Sequence, residues 1–287
     1  MNRIAVVGLG LIGGSLARAL REAGPVLEIA GYDPDPTQVK RALELGVIDR
    51  AAASADQAAR GAERVVLAVP VLHTTEALNA LRPGLSPDAI LTDVGSTKAS
   101  VLRDVARVFG TVPPRFVAGH PIAGTEKSGV AASKADLFRG RRVVLTPHEG
   151  QDPDALQAVR AMWESVGSRV VEMDAARHDA VFAATSHLPH VLAYAFVDML
   201  TRLPNADQIF PNAGGGFRDF TRIASSSPEM WHDIVRANRV EVTGLLERQI
   251  GELQELLTLM KDDRWPELLQ RFERARGARE RHLSQID

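Results

Sequence analysis

The chain has 287 residues, long for one domain and short for three, so two domains are expected. Lys and Arg number 34 against 36 Asp and Glu, which argues against a globally basic nucleic-acid binder and against an acidic solvating tail. There are no cysteines, which excludes disulfides, thiolate metal sites and cysteine nucleophiles and fits a reducing compartment, the cytoplasm being expected. Hydrophobic residues at 45% supply ample core, and no uninterrupted apolar run of membrane-spanning length is present, so no membrane association is expected. An apolar stretch with Arg3 and Ala17-Arg18-Ala19 mimics a secretion signal, but the glycine spacing within it has a better explanation.

In chain order, the first half alternates short apolar runs with helical stretches. Strands are predicted at Ile4–Val7, Glu28–Tyr32, Arg64–Val69, Ala89–Val94, Arg115–Ala118 and Arg142–Thr146. Helices are predicted at Gly14–Ala23, Pro36–Leu45, His73–Leu81 and Lys98–Phe109, and Pro153–Val166 with the strand Arg169–Met173 closes the unit. This alternation implies an α/β domain with a predominantly parallel sheet covered on both faces. After Asp174 the strand signals stop. Ala175–Leu200 is apolar at helical spacing. Ser227-Pro228 reads as a helix start, and Leu245, Leu246, Ile250, Leu253, Leu256, Leu257 and Met260 form a stripe on a later helix. The boundary is expected near residue 173, with an all-α domain beyond it. The arginines between Arg271 and Arg281 alternate with Glu273 and Glu280 and read as a solvated helix face.

Gly8-Leu9-Gly10-Leu11-Ile12-Gly13 follows the first strand and opens a helix. Gly8 permits the tight turn, Gly10 the close approach of a pyrophosphate, and Gly13 close helix–sheet packing, which is the Rossmann-type dinucleotide signature. The N-terminus of the helix that this loop opens offers N–H groups and a positive dipole to phosphates, and Leu11 and Ile12 of the loop are counted with the cofactor-binding candidates. Asp33 ends the second strand, where its carboxylate would accept from the adenosine ribose hydroxyls and repel a 2′-phosphate, favouring NAD over NADP. Val69 and Pro70 lie at the carboxyl edge, where ligands of this fold bind.

Three polar segments are placed to meet at that edge. In Asp93-Val94-Gly95-Ser96-Thr97-Lys98, Ser96 is placed to orient a catalytic group or a substrate hydroxyl and also to cap the following helix, and the two roles are compatible. In Gly119–Gly129, His120 sits on a loop after a strand, placed to take a proton near neutral pH. In Gly214–Ile223, Arg218 and Arg222 lie four apart, either suited to a carboxylate, with Asp219 or Glu229 as alternative ion-pair partners. His187 and His190 line a cleft more readily than they bind a metal, and no metal site is expected.

The glycine loop, Asp93–Lys98, Gly119–Gly129, Ser186–His190 and Gly214–Ile223, in this order over most of the chain, resemble the prephenate dehydrogenase family of tyrosine biosynthesis. The resemblance implies NAD-dependent oxidative decarboxylation of prephenate to 4-hydroxyphenylpyruvate, with arogenate dehydrogenase and dual-specificity cyclohexadienyl dehydrogenase as alternatives. It implies that His120 is the catalytic histidine on the ring hydroxyl, that Ser96 orients it, and that Arg222 binds the ring carboxylate. Glu126, His190 and Trp231 would line the substrate pocket. It also implies that the helical domain, residues 174–287, binds substrate and builds a homodimer, with residues 1–173 binding NAD. With nothing ahead of the cofactor loop and fewer than 30 residues after Met260, neither the fused mutase nor the regulatory ACT domain of some relatives is expected. Another hydroxy-acid dehydrogenase would need a catalytic Lys that the segment around His187 does not offer. A non-catalytic NAD sensor would need the glycines and Asp33 but not His120, Ser96 and Arg222 together.

Overall fold

The computed structural model describes residues 2–24 and 27–283. The chain folds into two compact units, residues 1–239 and 240–287.

The first unit is built on an eight-stranded sheet: β1 (Asn2–Val7), β2 (Leu27–Tyr32), β3 (Arg50–Ala51), β4 (Arg64–Leu67), β5 (Ile90–Asp93), β6 (Phe116–Pro121), β7 (Arg142–Thr146) and β8 (Arg169–Glu172). The spatial order is β3-β2-β1-β4-β5-β6-β7-β8. The first six strands are parallel, β7 runs antiparallel to β6, and β8 is parallel to β7. This is the Rossmann-type, mostly parallel α/β architecture. The helices interleaved with these strands are α1 (Leu11–Ala23), α2 (Pro36–Glu44), α3 (Ala55–Ala59), α4 (Thr74–Leu81), α5 (Ala99–Phe109) and α6 (Pro153–Ser165).

Because successive strand residues face opposite ways, the continuous apolar strands feed two cores. Ile4, Val6, Val66 and Val117 join Leu16, Leu20 and Trp163 on one face. Ala5, Val7, Val65, Leu67, Phe116 and Ala118 join Leu78, Leu81, Val101 and Val105 on the other.

Several boundaries differ from the sequence reading, and three bear on the candidate site residues. The α1 helix starts at Leu11, so Leu11, Ile12 and Gly13 form its first turn and Gly10 is its N-cap. The β6 strand does not stop at Ala118: Gly119, His120 and Pro121 pair with Leu145, Val144 and Val143 of β7. Gly and Pro read locally as a loop, but an antiparallel partner distant in sequence supplies the ladder, so His120 sits on a strand. The β4 strand ends at Leu67, which leaves Val69 and Pro70 in the connection that follows. The short β3 and α3 carry too few residues to show a period.

The expected single helix over Ala175–Leu200 is α7 (Ala175–Phe182), a π-helical turn at Ala183–His187, and α8 (Leu188–Thr201). Pro189 lies just after the π-helical turn, inside a helical run continuous with α7, and without an N–H it cannot continue the backbone ladder there. The stretch Ala175–Thr201, with mean hydropathy 1.3, is long and apolar enough to cross a membrane, contrary to the sequence expectation. Its polar residues point to a packed role instead: His178, Asp179 and His187 are buried in it and hydrogen-bonded to other parts of the protein. The unit continues through α9 (Ala206–Ile209), α10 (Gly215–Thr221) and α11 (Pro228–Ala237). Ser227 caps α11 with Pro228 in its first turn, as expected.

The second unit holds nearly all of α12 (Arg239–Lys261), and α13 (Trp265–His282). Arg271 on α13 pairs with Glu252 and Glu255 on α12. Of the predicted stripe, Ile250, Leu253, Leu257 and Met260 are exposed, and Trp265, Leu269 and Phe272 add further exposed apolar surface.

Candidate active site

The glycine loop is shaped by close approaches that forbid a side chain at two of its three key positions. Gly8 has φ +100°, and a Cβ there would meet the Ala68 carbonyl oxygen at 2.3 Å. A Cβ on Gly13 would meet the Gly8 carbonyl oxygen at 2.0 Å. At Gly10 nothing lies within 4 Å of that position, so the requirement there is open space outside the protein. The first turn of α1 carries no acidic residue and its N-cap supplies no side-chain acceptor. Its leading N–H groups therefore face that space together with the positive end of the helix dipole. This cradle fits a pyrophosphate.

Asp33 secures the loop, accepting from the Leu9 N–H at 2.7 Å through one carboxylate oxygen and from the Asp35 N–H at 2.9 Å through the other. A cavity of about 510 Å³ lies beside it, lined by Tyr32, Asp33, Pro34, Val39 and Lys40 among others, fit for an adenosine. Pro70 lines a second cleft of about 580 Å³ with His73 and the start of α11, Ser227–Met230. That cleft joins the connection after β4 to the helical segment, and Val71, Trp231 and Ile234 pack beneath it.

At the carboxyl end of β6, His120 is partly buried, with its Nδ1 2.8 Å from His178 Nε2. His178 Nδ1 lies 2.8 Å from Asp179 Oδ1. Asp179 also accepts from the backbone N–H groups of Lys98 (2.8 Å) and Ala99 (3.0 Å), so it caps α5 from a distant helix. Below His120, Lys98 is fully buried and donates to Asp93 at 2.5 Å and to the Gly119 carbonyl at 2.6 Å. Asp93 in turn accepts from the N–H groups of Gly95 and Gly119. Both the N–H and the C=O of Gly119 are thereby clamped, which fixes the backbone that carries His120. Asn238 donates to the Asp179 carbonyl at 2.8 Å and lies 3.1 Å from His187 Nδ1.

Burial pushes His120 well below the usual imidazole range, and the neighbouring His178, Lys98 and His187 push the same way. Burial also lowers His178, against the opposing pull of Asp179. His187 is lowered to about 4, chiefly by burial. Burial favours the neutral form of Asp179, but the hydrogen bonds from His178, Lys98 and Ala99 outweigh it and hold the carboxyl below its ordinary value. Near neutral pH the site therefore contains neutral imidazoles beside a carboxylate and a buried Lys–Asp pair.

The remaining predicted residues fall into two pairs. His190 stacks on Trp231 with ring centroids 3.4 Å apart and an 18° interplanar angle. Arg222 begins the 3₁₀ turn after α10 and pairs at 3.8 Å with Glu126, not with Asp219 or Glu229. Ser96 forms no hydrogen bond with His120 among the described residues, nor does it cap α5. The cap is Asp179, and the His120 ring is held by His178. The sequence reading does not single out His178, Asp179, Lys98, Asp93 or Asn238. The one available signal is a His-Asp pair inside an otherwise apolar helical run.

An anion-ready helix start after β1, a carboxylate at the end of β2 and an imidazole at the carboxyl end of β6 have the make-up of an NAD-dependent dehydrogenase. Residues 16–172 match the model of the prephenate dehydrogenase nucleotide-binding domain, and residues 174–274 that of the prephenate dehydrogenase dimerization domain. The chain is 37% identical over 283 residues to the prephenate dehydrogenase of Bacillus subtilis (strain 168), covering 97% of this chain and 76% of the relative. It is 36% identical to the cyclohexadienyl dehydrogenase of Zymomonas mobilis, covering 97% and 95% of the two. A solved structure of A. aeolicus prephenate dehydrogenase with hydroxyphenyl propionate and NAD+ superposes with a TM-score of 0.90 at 39% identity, over 100% of this chain and 99% of that one. The chain belongs to the prephenate dehydrogenase family, and NAD is its cofactor.

Proposed function

We propose that this chain carries out the family's reaction, the oxidative decarboxylation of prephenate to 4-hydroxyphenylpyruvate in tyrosine biosynthesis, with His120 as the base. The observation that carries the reading is the neutral imidazole fixed at the end of β6, in the sheet whose β1 end forms the nucleotide cradle. NAD, when bound, supplies the hydride acceptor. Gly8, Gly10, Gly13, Leu11 and Ile12 would hold its pyrophosphate and Asp33 its adenosine ribose, with Val69 and Pro70 as further contacts.

His120 takes the proton of the ring hydroxyl as the carbon–hydrogen bond beside that oxygen gives up its electron pair as hydride. The ring then carries a carbonyl opposite the carboxylate. Loss of carbon dioxide sends the carboxylate's bonding pair into the ring, which becomes aromatic, and the phenolate oxygen recovers the proton from His120. Arg222 holds the ring carboxylate, and its Glu126 partner limits how tightly, which matters because a grip stronger in the ground state than in the transition state slows the step. The His190–Trp231 stack walls the substrate pocket, and Ser96 is assigned to the substrate's hydroxyl end.

We place the boundary between a nucleotide domain and a helical domain at residue 173, which the junction of the two family models supports. The exposed Ile250, Leu253, Leu257 and Met260 are the face through which the chain forms a homodimer, acting in the cytoplasm on a small-molecule substrate. Arogenate is the second candidate substrate, on the strength of the 36% identity to a cyclohexadienyl dehydrogenase across nearly the whole of both chains.

The test is NADH formation with prephenate and with arogenate in parallel. Turnover with prephenate is expected, and the ratio of the two rates gives the preference. His120→Asn is expected to lose about 10²–10⁴-fold in kcat while NAD affinity stays within about twofold. Absence of turnover with either substrate, despite NAD binding, overturns the reading.

A further inference from the structure

The two groups behind His120, His178 and Asp179, leave little freedom in where its protons sit. Asp179 accepts two backbone N–H groups at the start of α5, which an ionised carboxylate suits and which leaves it only an acceptor's role. His178 Nδ1, 2.8 Å away, must then carry a proton and donate it. With Nδ1 protonated, neutral His178 has its lone pair on Nε2. Among the described residues, the partner facing that lone pair at hydrogen-bonding distance is His120 Nδ1, which must donate in turn. His120 Nε2 is left with the lone pair.

We propose that His178 and Asp179 form a positioning relay that fixes the His120 tautomer, aims its bare Nε2 at the substrate hydroxyl and spreads the charge that develops when the proton arrives. The proposal rests on the reading of His120 as the base. No proton need travel beyond His120: the hydroxyl proton binds Nε2, the Nδ1–H bond to His178 shortens against a ring backed by Asp179, and the proton returns to the phenolate oxygen at the end.

Geometry supports a dedicated device over incidental packing. The relay spans two elements far apart in sequence, β6 and α7. His178 is fully buried and Asp179 nearly so. Phe182 packs against both rings, its ring centroid 5.0 Å from His120 and 4.5 Å from His178. The carboxylate is locked by the helix it caps, so the relay cannot rotate away without breaking the start of α5. Lys98 and His187 are the other basic groups facing His120, and Lys98 and Asp93 the other charged groups facing His178. Lys98 is paired with Asp93 and His187 accepts from Asn238, so neither competes for the relay's protons.

The decisive test compares wild type with Asp179→Asn and His178→Leu. ¹⁵N spectra of the histidine-labelled protein at neutral pH are expected to show His120 as the Nδ1–H tautomer in wild type. Asp179→Asn offers an amide that satisfies His178 in either orientation, so a shift of His120 towards the Nε2–H form is expected. In turnover, kcat is expected to fall about 10²-fold or more in both variants, with KM for substrate and NAD affinity within about threefold. The acid limb of kcat is expected to move to lower pH, since without the carboxylate the imidazolium of His120 is harder to form. A His120 that is Nε2-protonated in wild type overturns the relay. So does a kcat within about threefold of wild type in both variants. If wild type turns over neither prephenate nor arogenate, it is the functional reading that fails, and the tautomer spectra decide the relay by themselves.

Discussion

The nucleotide cradle and the His120 network both stand at the carboxyl ends of parallel strands, and they are held by different physics. The cradle is steric. Its defining approaches are Gly8 against Ala68 and Gly13 against Gly8, and its polar tie is a backbone N–H of the loop on Asp33. Shape is prescribed by the absence of side chains. The network is electrostatic. It buries Lys98, Asp93, His178 and Asp179 together, and each is tolerated because another satisfies it. Changes to the cradle should therefore act through volume, and changes to the network through unpaired polarity.

The largest expected effect breaks the network. Lys98→Met leaves Asp93 buried beside Gly95 and Gly119 with no cation, and unfolding measured by urea titration should show a loss of about 3–5 kcal/mol. A loss below about 1 kcal/mol would mean that the pair contributes little and that the two regions are held by more similar forces.

In the cradle the expected effect depends on which glycine is changed. Gly13→Ala drives a Cβ to 2.0 Å from a backbone carbonyl, so the loop must shift: melting temperature and NAD affinity should fall together. Gly10→Ala meets no protein atom, so the melting temperature should hold within about 2 °C while NAD affinity drops, because the methyl group occupies the space of the pyrophosphate. Equal effects on stability from the two variants would refute the steric account.

The smallest effect is the pH response of the imidazoles. His187 titrates at about 4 in the folded protein and near 6.5 when unfolded, so between those values the unfolded chain binds more protons. Stability is thus full above about pH 7 and declines as pH falls from about 6.5 towards 4. His120 and His178, also lowered, add in the same direction. Urea midpoints at several pH values check this, and a protein more stable at about pH 5 than at about pH 7 would show that these rings are charged in the native state.

The amino-acid sequence determined the cradle because its parts are close along the chain. A strand, a glycine turn, a helix start and an acidic residue at the next strand's end each have a local physical signature, and Gly8 to Asp33 with the strand before it contains them all. It likewise determined the alternation of strands and helices, since apolar runs and periodic stretches report burial directly. The sequence offered Arg218 and Arg222 alike for a carboxylate. The choice of Arg222 and the roles expected of Glu126, His190 and Trp231 on the substrate came from resemblance to a family, and the pairing of these residues was not readable at all.

Tertiary structure decided what holds His120. Its strand is completed by β7, its ring by His178 on α7, its backbone by Lys98, and the carboxylate of the relay by the start of α5. These partners lie tens of residues away, and nothing in local periodicity marks an Asp as the cap of a helix it does not precede. Burial makes such contacts obligatory, because a polar group removed from water must find its partner wherever the fold brings one.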